Sequence, residues 1–106
     1  MAVSAAYTVS RLVDAFSHAD TYVLTAAYTG IYEAVDTVLD AELALDKAKL
    51  SPQQEQIAEL SWKQGFTQEE VGSILGITQQ SVFVQERRAK EKIAGVIKEW
   101  GAADAI

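Results

Sequence analysis

Residues 51–93 carry three helix-start signals in succession, with a glycine ahead of the second and the third. Ser51 precedes Pro52, and proline suits a first helical position because its missing N–H would go unpaired there anyway. Gln54 follows Ser51 at the spacing of a capping box, in which each side chain satisfies the other residue's backbone N–H. The apolar pattern beyond predicts a helix to about Gln64 that buries Ile57, Leu60 and the surroundings of Trp62, with Gly65 ending it in a left-handed turn. Thr67 and Glu70 repeat the box and open a short helix over Gln68–Leu75, with Val71, Ile74 and Leu75 as its inner face. Gly76 is then the turn residue, Ile77 plugs the turn, and Thr78 caps a third, longer helix. So tight a turn sets two helices nearly perpendicular, and the pattern predicts a helix-turn-helix.

The preceding half reads as helix with blunter edges. Val9, Leu12, Val13 and Phe16 form one apolar stripe and predict a helix over residues 3–17. His18, Ala19 and Asp20 are the expected break, with Asp20 capping a second helix over residues 21–29. The threonines and tyrosines of that stretch suit strand as well. Gly30 marks a kink or an end. Residues 31–49 read as a longer helix with Ile31, Val35, Val38, Leu39 and Leu43 inward and the acids outward, and the tail after Trp100 as frayed. The expected organisation is an all-α fold: residues 1–49 as a two- or three-helix N-terminal segment for packing or oligomerisation, residues 50–100 as the helix-turn-helix, and residues 101–106 as the tail.

Composition narrows the chemistry. Among 106 residues 49% are apolar and 23% charged, which fits one modest globular core rather than a disordered chain. There is no cysteine, so disulfides, thiolate metal sites and cysteine nucleophiles are excluded. With His18 the single histidine, no metal site and no cofactor is expected. Glu33, Asp36 and Asp40 share a helix face at a spacing that suits paired acid–base chemistry, but a solvated face explains them better. Tyr7, Tyr22, Tyr28 and Tyr32 read as core edges rather than stacking platforms. No glycine-rich phosphate loop and no nucleophile–base pair is visible, so no enzymatic activity is expected. No apolar run reaches the roughly twenty residues of a membrane span, and no secretory signal is visible; a cytoplasmic location in a bacterial host cell is the expectation.

The net charge of −6 argues against nonspecific nucleic-acid binding by the whole surface, but the charge is unevenly placed. Residues 1–50 hold Arg11, Lys47 and Lys49 against seven acids, a net of −4. Residues 79–98 hold Arg87, Arg88, Lys90, Lys92 and Lys98 against Glu86 and Glu91, a net of +3. The third helix of the motif is the one basic stretch. Val82, Ala89, Ile93, Val96 and Trp100 form a helical seam along it, either packing on the N-terminal helices or joining copies into a dimer or larger ring.

The same residues resemble the fourth conserved region of bacterial RNA polymerase sigma factors. The shared features are Leu50-Ser51-Pro52, Glu55, Ile57, Leu60, Gly65, Thr67-Gln68-Glu69-Glu70-Val71, Leu75-Gly76-Ile77-Thr78, Val82, Glu86-Arg87-Arg88-Ala89 and Lys92-Ile93. The response-regulator type of helix-turn-helix shares only the front half of this pattern. Residues 1–44 do not look like a promoter-melting region, so the chain resembles a stand-alone sigma-like small protein of a phage or bacterium rather than a complete sigma factor. The resemblance implies binding to double-stranded DNA, with Gln79, Gln80, Ser81, Phe83 and Val84 at base edges and Lys63, Thr67, Thr78, Arg87 and Arg88 at phosphates. Glutamine amides suit adenine edges, and Phe83 or Val84 suits thymine methyls. The plainer alternative leaves Phe83 and Val84 as core or oligomer contacts and the glutamines solvated. Three functions stay open: a sequence-specific transcriptional regulator, a protein that docks on RNA polymerase, and a small terminase subunit of phage DNA packaging that forms an oligomer.

Overall fold

The computed structural model describes residues 8–30 and 33–100, and every regular element among them is helical. Helix α1 spans Val9–Ser17, α2 Ala19–Thr29, α3 Glu33–Lys47 and α4 Pro52–Ile57. A π-helical segment, Ala58–Lys63, continues α4, and α5 (Gln68–Leu75) and α6 (Gln79–Glu99) complete the fold. The expected helical stretches over residues 3–7 and at Ile31, Tyr7 and Tyr32 as core edges, and the tail all lie outside the described residues.

Thr8 caps α1, its hydroxyl accepting from the Arg11 N–H at 3.1 Å. A single residue, His18, joins α1 to α2: its N–H donates to the Asp14 carbonyl at 2.9 Å and its carbonyl accepts from Tyr22 N–H at 3.1 Å. The expected cap at Asp20 is therefore corrected. Helix α2 starts two residues early, no side chain caps it, and Asp20 falls in its first turn, where a carboxylate complements the helix dipole. Gly30 closes α2 in the left-handed conformation, φ 72°.

Two apolar cores organise the packing. The larger gathers Val9, Leu12 and Ala15 of α1, Val38, Ala41 and Ala44 of α3, Trp62 of the π segment, and Ala89, Ile93, Val96 and Ile97 of α6. The N-terminal helices are thereby built onto the second half of α6. The smaller core, Ile57, Val71 and Val82 with Leu60, Phe66, Leu75 and Ile77 around it, holds α4, α5 and the start of α6 together.

Helix α3 is rotated from the expected orientation. Its buried stripe runs through Thr37, Val38, Asp40, Ala41 and Ala44, with Ala48 just past its end, while Leu39 and Leu43 are exposed. Small residues let neighbouring helices approach closely, and that outweighs the larger apolar area of the two leucines. The same rotation buries Asp40, which the sequence placed outward with Glu33 and Asp36; those two are exposed. Tyr28 is 89% exposed, not a core edge, whereas Tyr22 is half-buried. Ile74, expected on the inner face of α5, is exposed because that helix meets α6 through Val71 and Gly72.

Candidate nucleic-acid interface

The caps expected around the motif are present as geometry. Gln54 N–H donates to Ser51 Oγ at 3.2 Å, and Ser51 N–H donates to Gln54 Oε1 at 3.0 Å. Thr67 and Glu70 exchange the equivalent bonds at 3.2 and 2.9 Å. Thr78 Oγ1 accepts from Ser81 N–H at 3.0 Å and opens α6. Between α5 and α6, Gly76 takes a left-handed φ of 71°, and Ile77 N–H reaches back to the Gly72 carbonyl at 2.9 Å. A Cβ on Gly72 would lie 2.7 Å from the Ile77 carbonyl oxygen. The turn is thus tight enough to require glycine inside α5, where glycine otherwise weakens a helix.

Side chains of α6 then lock its orientation. Glu86 accepts from Trp62 Nε1 at 2.6 Å and from Gln68 Nε2 at 3.0 Å, with Ser61 Oγ farther off at 3.4 Å. One carboxylate thereby joins the π segment, α5 and α6. The wide π turn, closed by Gln64 N–H donating to the Glu59 carbonyl at 3.0 Å, brings the consecutive residues Ser61 and Trp62 onto the same oxygen. Buried Gln54 makes a second joint: its Nε2 donates to Gln85 Oε1 at 3.0 Å, and its Oε1 accepts from Lys92 Nζ at 2.8 Å. Lys92 also reaches the Lys49 carbonyl at 3.4 Å. From the sequence, Gly72 and Gln85 had no role, Gln54 was only a cap and Lys92 a letter of the motif; the bonds of Gln54 to Gln85 and Lys92 span 31 and 38 residues. Glu86 was visible only as a letter of the motif.

The proposed reading residues occupy the first two turns of α6. Gln79, Gln80 and Ser81 are exposed, Phe83 is 52% exposed, and Val84 is half-buried. Thr78 and Ser81 are joined, the Thr78 hydroxyl donating to Ser81 Oγ at 2.9 Å. Arg87 and Arg88 are exposed one and two residues beyond Glu86. Arg87, with Lys90 and Glu91, borders a groove of about 500 Å³ against Thr8, Val9, Ser10 and Val13 of α1. Thr67 and Lys63 stand off α6: Thr67 caps α5, and Lys63 Nζ lies 4.8 Å from the centroid of the Phe16 ring. That ring meets Trp62 edge-on, centroids 6.5 Å apart at 88°. The seam divides between the cores: Val82 is in the smaller, Ala89, Ile93 and Val96 are in the larger, and Trp100 packs against the larger.

Residues 48–94 match the model of the family described as Sigma-70, region 4. This segment is a sigma-70 region 4 helix-turn-helix. No curated protein and no solved structure matches the chain. The region 4 match spans α4, the π segment, α5 and most of α6, so it includes every residue of the cap-and-glycine pattern and both arginines. Helices α1, α2 and α3 lie outside it.

Proposed function

We propose that the protein is a sequence-specific, DNA-binding transcriptional regulator of bacterial or bacteriophage origin. Helix α6 enters the major groove with its first two turns, and α5 crosses the phosphate backbone. The observation that carries this reading is the division of α6 within a region 4 domain. Its second half packs into the larger core, while its first two turns, with Val82 buried, present Gln79, Gln80 and Phe83 outside both cores. Arg87, Arg88, Lys63, Thr67 and Thr78 hold phosphates, which position the helix without specifying sequence. Replacing Arg87 and Arg88 together by alanine should weaken binding to every duplex and flatten the dependence of log K on log salt by about two, at roughly 0.9 per lost phosphate contact. An unchanged slope would overturn the assignment.

So acidic a chain binds DNA weakly alone, and a second copy strengthens it. The α6 seam is occupied within the chain, so pairing falls to the exposed apolar residues of α2 and α3, namely Val23, Leu24, Tyr28, Leu39 and Leu43. Light scattering on the DNA-free protein tests this: a dimer supports it, a closed ring of many copies favours a packaging role, and a monomer removes both.

A second reading, docking on RNA polymerase, is favoured by an open groove of about 600 Å³ between α4 with its π extension and α5. Leu60, Ile74 and Leu75 form its apolar lining, with Glu55 and Glu59 beside them, and Ile74 is 53% exposed. No residue of α6 lines it, so Ile74→Ser should abolish capture of the core polymerase and spare DNA binding if this reading holds.

A further inference from the structure

The first two turns of α6 contain no charged side chain: the sequence from position 79 to 84 is Gln-Gln-Ser-Val-Phe-Val. Guanine offers two acceptors at its major-groove edge and is read by the paired donors of arginine or by lysine; cytosine offers an amino donor and is read by a carboxylate. Neither kind of reader is present at these positions. Arg87 stands about 12 Å farther along the axis than Gln79, at 1.5 Å per residue.

What is present fits the other base pair. A glutamine amide carries one donor and one acceptor side by side, the complement of adenine N7 and N6. Gln79 and Gln80 are both exposed, and neither amide has a hydrogen-bond partner among the described residues. Phe83 lies four residues after Gln79 and three after Gln80, so its half-exposed ring stands beside both on the helix surface. No core contact explains that ring: it belongs to neither apolar cluster. A flat apolar group next to an adenine reader is where the C5 methyl of a thymine would be met. Ser81 is tied to Thr78 by their hydroxyl–hydroxyl bond and is the least available of the set.

We infer that this face selects an A·T-rich major-groove site, with Gln79 and Gln80 reading adenine edges and Phe83 covering thymine methyls on adjacent steps. The inference rests on the DNA-binding reading above and adds the class of sequence. The full-length chain is used to select duplexes from a random pool at low salt. The winning sequence is then remade with deoxyuridine for thymidine, which removes only the C5 methyl, and with 7-deazaadenine, which removes only N7. The expected winners have A·T pairs at their centre and bind roughly tenfold or more tighter than a G·C-centred duplex. Uracil should weaken binding about fourfold per covered methyl, from the transfer value of one buried carbon. Phe83→Ala, which alters an exposed residue and should leave the circular dichroism unchanged, should make the protein indifferent to thymine or uracil. Gln79→Ala with Gln80→Ala should do the same for 7-deazaadenine.

Three results would overturn the inference while leaving DNA binding intact: G·C-centred winners, binding without enrichment, or a thymine preference that survives Phe83→Ala. Absence of binding to any duplex would overturn the DNA-binding reading itself.

Discussion

The two halves of this molecule are both helical, but they are held in different ways. In the region 4 half each helix starts at a side-chain cap, and Glu86, Gln54 and Lys92 tie α4, α5 and α6 together with directional bonds. In the N-terminal half α2 starts without a side-chain cap, and Val9, Leu12 and Ala15 of α1 with the alanine-rich face of α3 pack on the tail of α6. The exposed large apolar residues divide accordingly. Val23, Leu24, Tyr28, Leu39 and Leu43 are in α2 and α3, against Ile74 and Phe83 in the region 4 half. Directional bonds fix an orientation, which the proposed role of α6 in the major groove needs. Apolar contact supplies area but tolerates sliding.

The largest test of this contrast replaces one isoleucine in each core. Ile57→Ala and Ile93→Ala remove fully buried side chains, and each should cost about 2–5 kcal/mol. Because Trp62 sits in the larger core while bonding to Glu86, both variants should still unfold in one step. Urea curves followed by tryptophan fluorescence and by far-ultraviolet circular dichroism should coincide. Separate transitions would mean that the halves fold independently.

Gly72→Ala comes next. It should destabilise by about 1–3 kcal/mol through overpacking against the Ile77 carbonyl, although alanine favours a helix interior elsewhere. A stability gain in thermal melts would show that the turn can open at little cost. Thr67→Ala should cost about 1 kcal/mol for a lost cap, whereas His18→Ala, where no side-chain cap exists, should stay within about 0.5 kcal/mol. Equal losses at the two positions would erase the difference between the halves.

Lys49, the junction residue, holds a left-handed φ of 55° without being glycine. Lys49→Gly should therefore raise stability by up to about 1 kcal/mol, read as a higher urea midpoint. The smallest effect belongs to Tyr22, whose hydroxyl donates to Asp14 Oδ2 at 2.6 Å. That bond, with some burial and the charge of Asp14, pushes the phenol pKa above its ordinary value. The contribution is present below the unfolded tyrosine pKa of about 10 and is lost as pH rises through the folded value. Tyr22→Phe should flatten the fall of stability in alkaline urea titrations, and an identical pH profile would remove the bond from the account.

The region 4 half was legible because its determinants are local. Ser51 with Gln54, Thr67 with Glu70, and Gly76 act within four residues of themselves, and each stands where the spacing put it. The N-terminal half was legible as helix but not in its facing. Leu39 and Leu43 looked like the inward stripe of α3, and the close approach of α3 to its neighbours through alanine turned them out. Asp20 failed as a cap for a related reason: the chain needed one residue, not three, to pass from α1 to α2. The exposed positions of α6 could be named from the resemblance. The network that aims them could not, because Gln54 and Lys92 are 38 residues apart.

That α6 runs unbroken from Gln79 to Glu99 makes it a phase lock between two jobs. The positions proposed to read DNA and its core positions share one helical screw, so the angle between them is counted in residues. Inserting a single residue between Val84 and Ala89 would turn the reading face by about 100° relative to the core, while an insertion of about seven would nearly restore it. Substitutions at Gln79, Gln80 and Phe83 carry no such constraint. Under the proposed function, sequence preference can therefore drift by point change at little cost to folding, whereas changes of length in the middle of α6 meet an immediate penalty.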